Sequence, residues 1–483
     1  MNNSLKKKSV SGIIWNLTER IGNQFIRFFI GIILAGVLLP SDYGVVGLTT
    51  VVVVVAQIFI DGGFMMVLIQ RKENSDIEYS TVFWIKISLA LLSYSIIFFC
   101  SDYIALFYNI PIFSDVLKTT SLVIIISAFS SIHKVKLTNE LNFKIQAQLV
   151  LLSTIIGGIF GIYFAYTGFG VWSLVFQTLI INSTQTVFFW LYCRWIPLFQ
   201  FSREFTKSVS RLGLNYLFSN VLLILYNNLY VVIIGKIFSP SVLGNYTRAL
   251  QFEQLPENTT NSIIVKVLFP VLTRSKDNLV QLKSNTLLVI SWLSFLITPI
   301  MVLLMICSER IILLLLNDAW LSSSNFLIVV SFSGLFIPIN NSLMNIFNVL
   351  GKPIITVWIY AFKIIFSTIA ILAFWKLGPL YVVSVMILEN FIVLLILGYF
   401  TNKFIDLGII ELLKTISVSI LINGFAAFIV NFLSMLSFVS NLSSFNFILV
   451  LSSIYLVLMI LINLFFNTIQ GIELKNQLKK YKK

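Results

Sequence analysis

ILAGVLLPSDYGVVG (residues 33–47) and VIIGKIFSPSVLGNYTRA (232–249) are two versions of one pattern. With one gap allowed, Gly36 aligns with Gly235, Pro40–Ser41 with Pro240–Ser241, and Gly44 with Gly244. Each copy lies where a long apolar run ends, and six such runs separate the copies. An even number of crossings makes the copies parallel, the plan of two six-helix lobes related by an axis along the membrane normal. Pro-Ser with a nearby glycine marks many helix-to-helix turns. The aligned apolar flanks are what argue for duplication. The repeat assigns residues 1–200 to a first lobe and 201–402 to a second, and leaves 403–483, two helices and a basic tail, outside it.

The rest of the chain suits that plan. Of its 483 residues 58% are hydrophobic and only 11% charged, whereas soluble domains carry about 25% charged residues. A membrane-crossing helix needs about 20 mainly apolar residues. That criterion marks fourteen spans: 12–38, 44–69, 80–100, 117–132, 147–166, 171–192, 211–236, 246–270, 287–307, 326–349, 354–375, 380–400, 413–436 and 446–468. The chain is thus expected to be an all-α polytopic membrane protein. Segments assigned to the inner side hold 23 Lys and Arg against nine acids, and the outer segments three against five. By the positive-inside rule both termini lie in the cytoplasm. The net charge of +14 is then a topology signal and not a nucleic-acid footprint. Cys100, Cys193 and Cys307 are scattered singly, which supports neither a disulfide framework nor a thiolate metal site. The single histidine, His133, reads as part of a basic loop without metal-ligand neighbours. The N-terminal Lys6–Lys8 run precedes an apolar stretch too long and too charged for a cleaved leader, so it reads as a retained first span.

Several charges fall inside the spans. In WNLTERIGNQFIRFF (15–29), Asn16, Glu19, Arg20, Asn23 and Arg27 follow i, i+3, i+4, i+7 and i+11 spacing and draw one polar stripe. An arginine at mid-bilayer costs roughly 2.5–3.5 kcal/mol on insertion scales, so the stripe must face other helices or water. The matching helix of the second lobe carries an uncharged stripe, Tyr216, Asn220, Asn227 and Tyr230. The eighth span is the most polar. It holds Arg248, Glu253, Glu257 and Lys266, with Pro256 set to kink it. Matching depths along neighbouring helices pairs Lys363 with Glu389 near the midplane and Asp61 with Lys86 in the inner third. Each pair suits a structural ion pair, or Lys86 can snorkel to the interface. Intramembrane bases also mark transport pathways, which makes Arg20, Arg27, Arg248, Lys266 and Lys363 the candidate contacts for an anionic cargo. The acids Glu19, Asp61, Glu253, Glu257 and Glu389 either pair such bases or couple the cycle to H⁺ or Na⁺. No other cofactor is expected.

LIQRKENSDIEYSTVFWIKISLALL (68–92), KLTNELNFKIQAQ (136–148), NNLYVVIIGKIFSPSVLGNYTRALQFEQLP (227–256) and VKVLFPVLTR (265–274) resemble bacterial Wzx-type oligosaccharide flippases. The resemblance spans most of the first twelve helices. It implies fourteen helices in two lobes that carry an undecaprenyl-pyrophosphate-linked oligosaccharide across the cytoplasmic membrane by alternating access. Its partners would be that lipid-linked cargo, membrane lipids and other polysaccharide-assembly proteins. It also implies a cationic cavity for the pyrophosphate, here matching Arg20, Arg27 and Arg248. Glu253, Glu257 and Lys266 depart from the family's usually small, uncharged residues in helix eight.

Two other classes compete. A membrane polymerase or glycosyltransferase needs a sizeable outer domain, but the longest outer segment, 308–325, is short and contains IILLLL. A small-molecule cation antiporter of the same fold needs an acidic cavity, whereas six bases, leaving aside Lys118 near the outer end of the fourth span, face five acids within the spans. No G-x-x-x-x-G-K-[ST] is present, which argues against direct ATP hydrolysis.

Overall fold

A computed structural model describes residues 3–71, 74–263, 269–434, 436 and 442–465. Side chains are described for these residues except 3–10, 13, 208–220, 261–263 and 269–271. The chain forms two compact units, 1–247 and 248–483. The first contains α1 (Asn3–Ala35), α2 (Pro40–Asp61), α3 (Phe64–Gln70), α4 (Asp76–Tyr108), α5 (Phe113–Thr120), α6 (Leu122–Asn139), α7 (Phe143–Tyr166), α8 (Val171–Cys193) and α9 (Arg203–Ile237). The boundary falls within α10 (Pro240–Ile263). The second unit continues with α11 (Phe269–Arg274), α12 (Leu279–Ile306), α13 (Ser308–Leu315), α14 (Ser322–Gly334), α15 (Ile337–Val349), α16 (Ile354–Phe374), α17 (Pro379–Ile405), α18 (Ile409–Ser434) and α19 (Ser444–Phe465). The first unit runs past residue 200 because α9 packs on α2, α3 and α4.

Eleven helical segments among the described residues are long and apolar enough to cross a membrane. They include the broken segments Phe113–Asn139 and Ser322–Val349. The other three expected spans are α1, α9 and α10, helices of 33, 35 and 24 residues. Of α9, Val221–Ile237 is an apolar helical stretch among the described residues.

Local chemistry explains where helices begin and break. At the start of α4, the Ser75 hydroxyl accepts the Glu78 N–H at 3.3 Å and the Glu78 carboxylate accepts the Ser75 N–H at 2.8 Å, a capping box. That cap lets α4 start four residues before the expected span, and the helix ends at Tyr108, eight residues after Cys100 closes the apolar run, with Asn109 as its cap. Similarly, α6 continues to Asn139, which corrects the reading of His133 as a loop residue. His133 is buried in the helix, its Nε2 lies 3.2 Å from the Trp195 carbonyl, and its ring packs on Trp190. The connection from α8 to α9 is fastened along α4. Leu198 N–H donates to Ser80 Oγ at 2.9 Å, Ser202 N–H to Thr81 Oγ1 at 3.0 Å, and Trp84 Nε1 to the Leu198 carbonyl at 2.9 Å.

The prolines and glycines of both copies of the repeated motif fall in the first unit, and they meet each other. Pro40 and Pro240 each occupy the first turn of a helix, where a missing N–H costs nothing. A Cβ on Gly44 would come within 1.9 Å of the Pro240 carbonyl oxygen, and one on Gly244 within 1.7 Å of the Pro40 carbonyl oxygen. Only glycine leaves room at either place. The contact is reciprocal, each copy resting its glycine on the other's proline.

Because lipid tails are as apolar as leucine, helices inside a bilayer are held by close packing and interhelical hydrogen bonds. The second unit is packed around Ile290, Ile297, Leu343, Phe347, Val393, Leu397 and Ile416 of α12, α15, α17 and α18. Tyr455 of α19 donates to Asn423 Oδ1 of α18 at 2.6 Å, fixing the two helices that lie outside the repeat.

Candidate functional site

The polar stripe of α1 has two edges. One is tied to α7, against which α1 packs closely: a Cβ on Gly158 would fall 2.1 Å from Ile30 Cδ1. Here Gln146 Nε2 donates to Glu19 Oε2 at 3.1 Å, and Gln146 Oε1 accepts from Thr138 at 3.3 Å. Four residues along α1 from Glu19, Thr154 Oγ1 donates to Asn23 Oδ1 at 2.8 Å. The other edge carries Asn16, Arg20 and Arg27, all exposed. Seven residues turn an α-helix through nearly two full circles, so Arg20 and Arg27 project in almost the same direction, about 10 Å apart along the axis at ~1.5 Å per residue. All five lie within about 100° of arc, one stripe with a packed edge and an open edge. Glu19 and Asn23 serve helix packing, and the two arginines are left presented. Arg27 is also steadied from its own helix, with Nε donating to Asn23 Oδ1 at 3.3 Å. Thr154 and Arg27 thus share one acceptor, which draws a line from α7 through Asn23 to the Arg27 guanidinium.

The corresponding α9 stripe is less uniform than expected. Asn227 is exposed, but Tyr230 is buried, turned into packing by its bulk. The side chains of Tyr216 and Asn220 lie outside the described ones. Asp61 and Lys86 form an ion pair at 2.7 Å between α2 and α4, with the lysine 2% and the aspartate 55% exposed. Lys86 is thus held inside the unit and does not snorkel outward.

In the second unit, the depth match of Lys363 with Glu389 corresponds to an ion pair of 3.2 Å between α16 and α17. Lys363 Nζ also donates to Asn390 Oδ1 at 2.9 Å, and the Ser367 hydroxyl donates to Glu389 Oε2. Asn390 Nδ2 in turn donates to Ser333 Oγ at 3.0 Å, and Asn340 Nδ2 to the Asn390 carbonyl at 2.9 Å. Lys363, Glu389, Asn390, Ser333, Ser367 and Asn340 are all buried. A charge at this depth endures when paired and hydrogen-bonded, and this network does both while binding four helices. Arg248, by contrast with Arg20 and Arg27, is 1% exposed. Its Nη1 donates to Gln251 Oε1 at 2.6 Å, and its guanidinium lies 5.8 Å from the Phe252 ring and 5.9 Å from Trp320. Glu253 is also buried, and Glu257 is partly exposed one turn on. Pro256 lies inside α10, and Lys266 falls outside the described residues.

Gln146, Thr154, Asn390, Asn340 and Ser367 were not singled out by the sequence reading. Thr154 stood in STIIGG (153–158) and Asn390 in LEN (388–390), but uncharged polar side chains in a span carry little weight until a partner is known. Among the described residues, no three His, Cys, Asp or Glu side chains are grouped as metal ligands.

Comparison with known proteins gives this arrangement a family. Residues 33–325 match the family described as polysaccharide biosynthesis protein. The chain is 23% identical over 340 residues to the lipopolysaccharide biosynthesis protein WzxC of Escherichia coli, covering 70% of this chain and 69% of WzxC. It is 23% identical over 337 residues to the teichuronic acid biosynthesis protein TuaB of Bacillus subtilis, with 69% of each chain covered. Among solved structures, the inward closed form of the lipid II flippase MurJ superposes with a TM-score of 0.74 at 15% identity, over 94% of this chain and 98% of that one. The structural likeness establishes the fold. With a family match over more than half its length, the chain belongs to the polysaccharide biosynthesis protein family, as an all-helical, multi-pass membrane protein.

Proposed function

We propose that this protein is a flippase that carries an undecaprenyl-pyrophosphate-linked oligosaccharide from the inner to the outer leaflet of the bacterial cytoplasmic membrane, by alternating access. The observation that carries the reading is the pair of exposed arginines on α1, one heptad apart and freed from Glu19 by Gln146. A diphosphate crossing the bilayer needs charge-assisted partners, and guanidinium forks meet phosphate oxygens in bidentate geometry. The names of WzxC, TuaB and MurJ support the same class of cargo. Six-helix lobes at 1–200 and 201–402, with both termini in the cytoplasm and fourteen crossings in all, follow from the repeat and the charge bias. Assembly enzymes would supply the cargo on the inner face and consume it on the outer. The buried Lys363–Glu389 pair holds helices together in this reading, and Arg248 waits behind Phe252 and Trp320 in this conformation.

The test is export in a strain dependent on this gene. Arg20→Ala and Arg27→Ala each abolish surface polysaccharide and accumulate lipid-linked repeat units on the inner leaflet, while protein levels in the membrane stay normal. Arg27→Lys retains partial export if charge alone suffices and fails like alanine if the guanidinium fork is needed. Normal export by both alanine variants would remove the arginines from the site. Glycan elongation by the purified protein would replace the flippase reading with an enzyme.

A further inference from the structure

Glu253 stands apart from the other buried ionisable groups described in the second unit. Lys363 has Glu389 and Asn390, Glu389 has Lys363 and Ser367, and Arg248 has Gln251 and two aromatic rings. Glu253 is 2% exposed, and its Oε1 meets no hydrogen-bond donor among the described residues. Beside that oxygen lie a glycine and a thioether. A Cβ on Gly334 of α14 would fall 2.5 Å from Oε1 and 2.8 Å from Met301 Cε of α12, so carboxyl, glycine and thioether close on one spot. The charged group in electrostatic range of Glu253 is Glu257, one turn along α10, which adds repulsion and no relief. Glu257 in turn lies within range of Tyr360 and Lys363 of α16.

We propose that Glu253 is a proton-binding site, occupied by a proton in this conformation and emptied through Glu257 when the second unit rearranges. An unpaired carboxylate ion in such a pocket costs several kcal/mol, whereas the neutral acid is tolerated there. A hard metal cation is a poor occupant, because it needs about six oxygen ligands and the Met301 thioether beside Oε1 is a soft sulfur. A single buried carboxyl holds one proton and nothing larger. Glu257, partly exposed, receives the proton and passes it on. The change is a simple transfer: Glu253 carboxylic acid loses H⁺ to the Glu257 carboxylate, with no other bond altered. This links the flippase reading to a driving force, and it rests on that reading for its purpose.

Two measurements separate the site from its purpose. Infrared difference spectra of the purified protein should show the carbonyl stretch of a protonated carboxyl that vanishes in Glu253→Gln and persists in Glu257→Gln. Glu253→Met, whose side chain suits the apolar wall, should lose the same band and guards against an unfolded glutamine variant. In proteoliposomes, inward-to-outward movement of a fluorescent undecaprenyl-diphosphate-linked disaccharide should be accelerated several-fold by an imposed pH gradient in the natural protein. Glu253→Gln should move it at one gradient-independent rate. Survival of the band in both Glu253 variants, or full gradient dependence in Glu253→Gln, overturns the proposal. A band lost in both Glu253 variants from a protein that moves no lipid keeps the proton site and overturns the flippase reading instead.

Discussion

Thr154 is an unremarked residue in an apolar helix, yet its hydroxyl reaches across to Asn23, whose other guest is Arg27. Removing it should loosen the guanidinium without touching its charge. Interhelical hydrogen bonds in membranes average about 0.6 kcal/mol, which corresponds to roughly a threefold change. Thr154→Val, matched in shape, is therefore expected to lower export about threefold while melting in detergent shifts little. Thr154→Ser should restore it. Equal export by Thr154→Val and the natural protein would show that Arg27 needs no such support. At this scale charges were legible in the sequence and their partners were not. The α1 spacing marked Glu19 and Asn23 as polar, but only the packing of α1 on α7 shows them facing Gln146 and Thr154. Lys363 and Glu389 could be paired by depth because few other charges compete at the middle of the membrane.

Helices obey a different logic. Hydropathy located the spans well, but it does not register where a helix pauses. The break between α5 and α6 at Ser121 and that between α14 and α15 at Leu335–Phe336 both interrupt runs that read as continuous. Capping, by contrast, lengthened α4 beyond its apolar stretch, because Ser75 and Glu78 favour helix whatever the surrounding solvent. The N-terminal turns of α2 and α10 permit a sharper expectation. Gly44→Ala and Gly244→Ala each force two backbones apart, at a cost of about 1–3 kcal/mol for overpacking. Gly47→Ala is the control, since its new methyl would sit 3.5 Å from Thr247 Cγ2, an ordinary contact. Melting temperatures in detergent should fall for the first two and hold for the third. Equal values for all three would mean that the proline turns yield without cost.

For the whole molecule, composition was sufficient to anticipate an all-helical membrane protein. The contact boundary at 247 could not be anticipated in the same way, since it depends on α9 and the start of α10 packing beside α2. The charge bias predicts orientation directly. In a protein whose three native cysteines have been replaced, Lys276→Cys should react with a membrane-impermeant maleimide only after cells are opened. Lys376→Cys should react in intact cells. Reversal of the two patterns would turn the topology over.

The mutual seating of Gly44 on Pro240 and Gly244 on Pro40 is also the contact an isologous homodimer makes, where one patch recognises its own copy. Each glycine answers to a proline encoded 196 or 204 codons away, so a bulkier residue at either turn is resisted from the far end of the first unit.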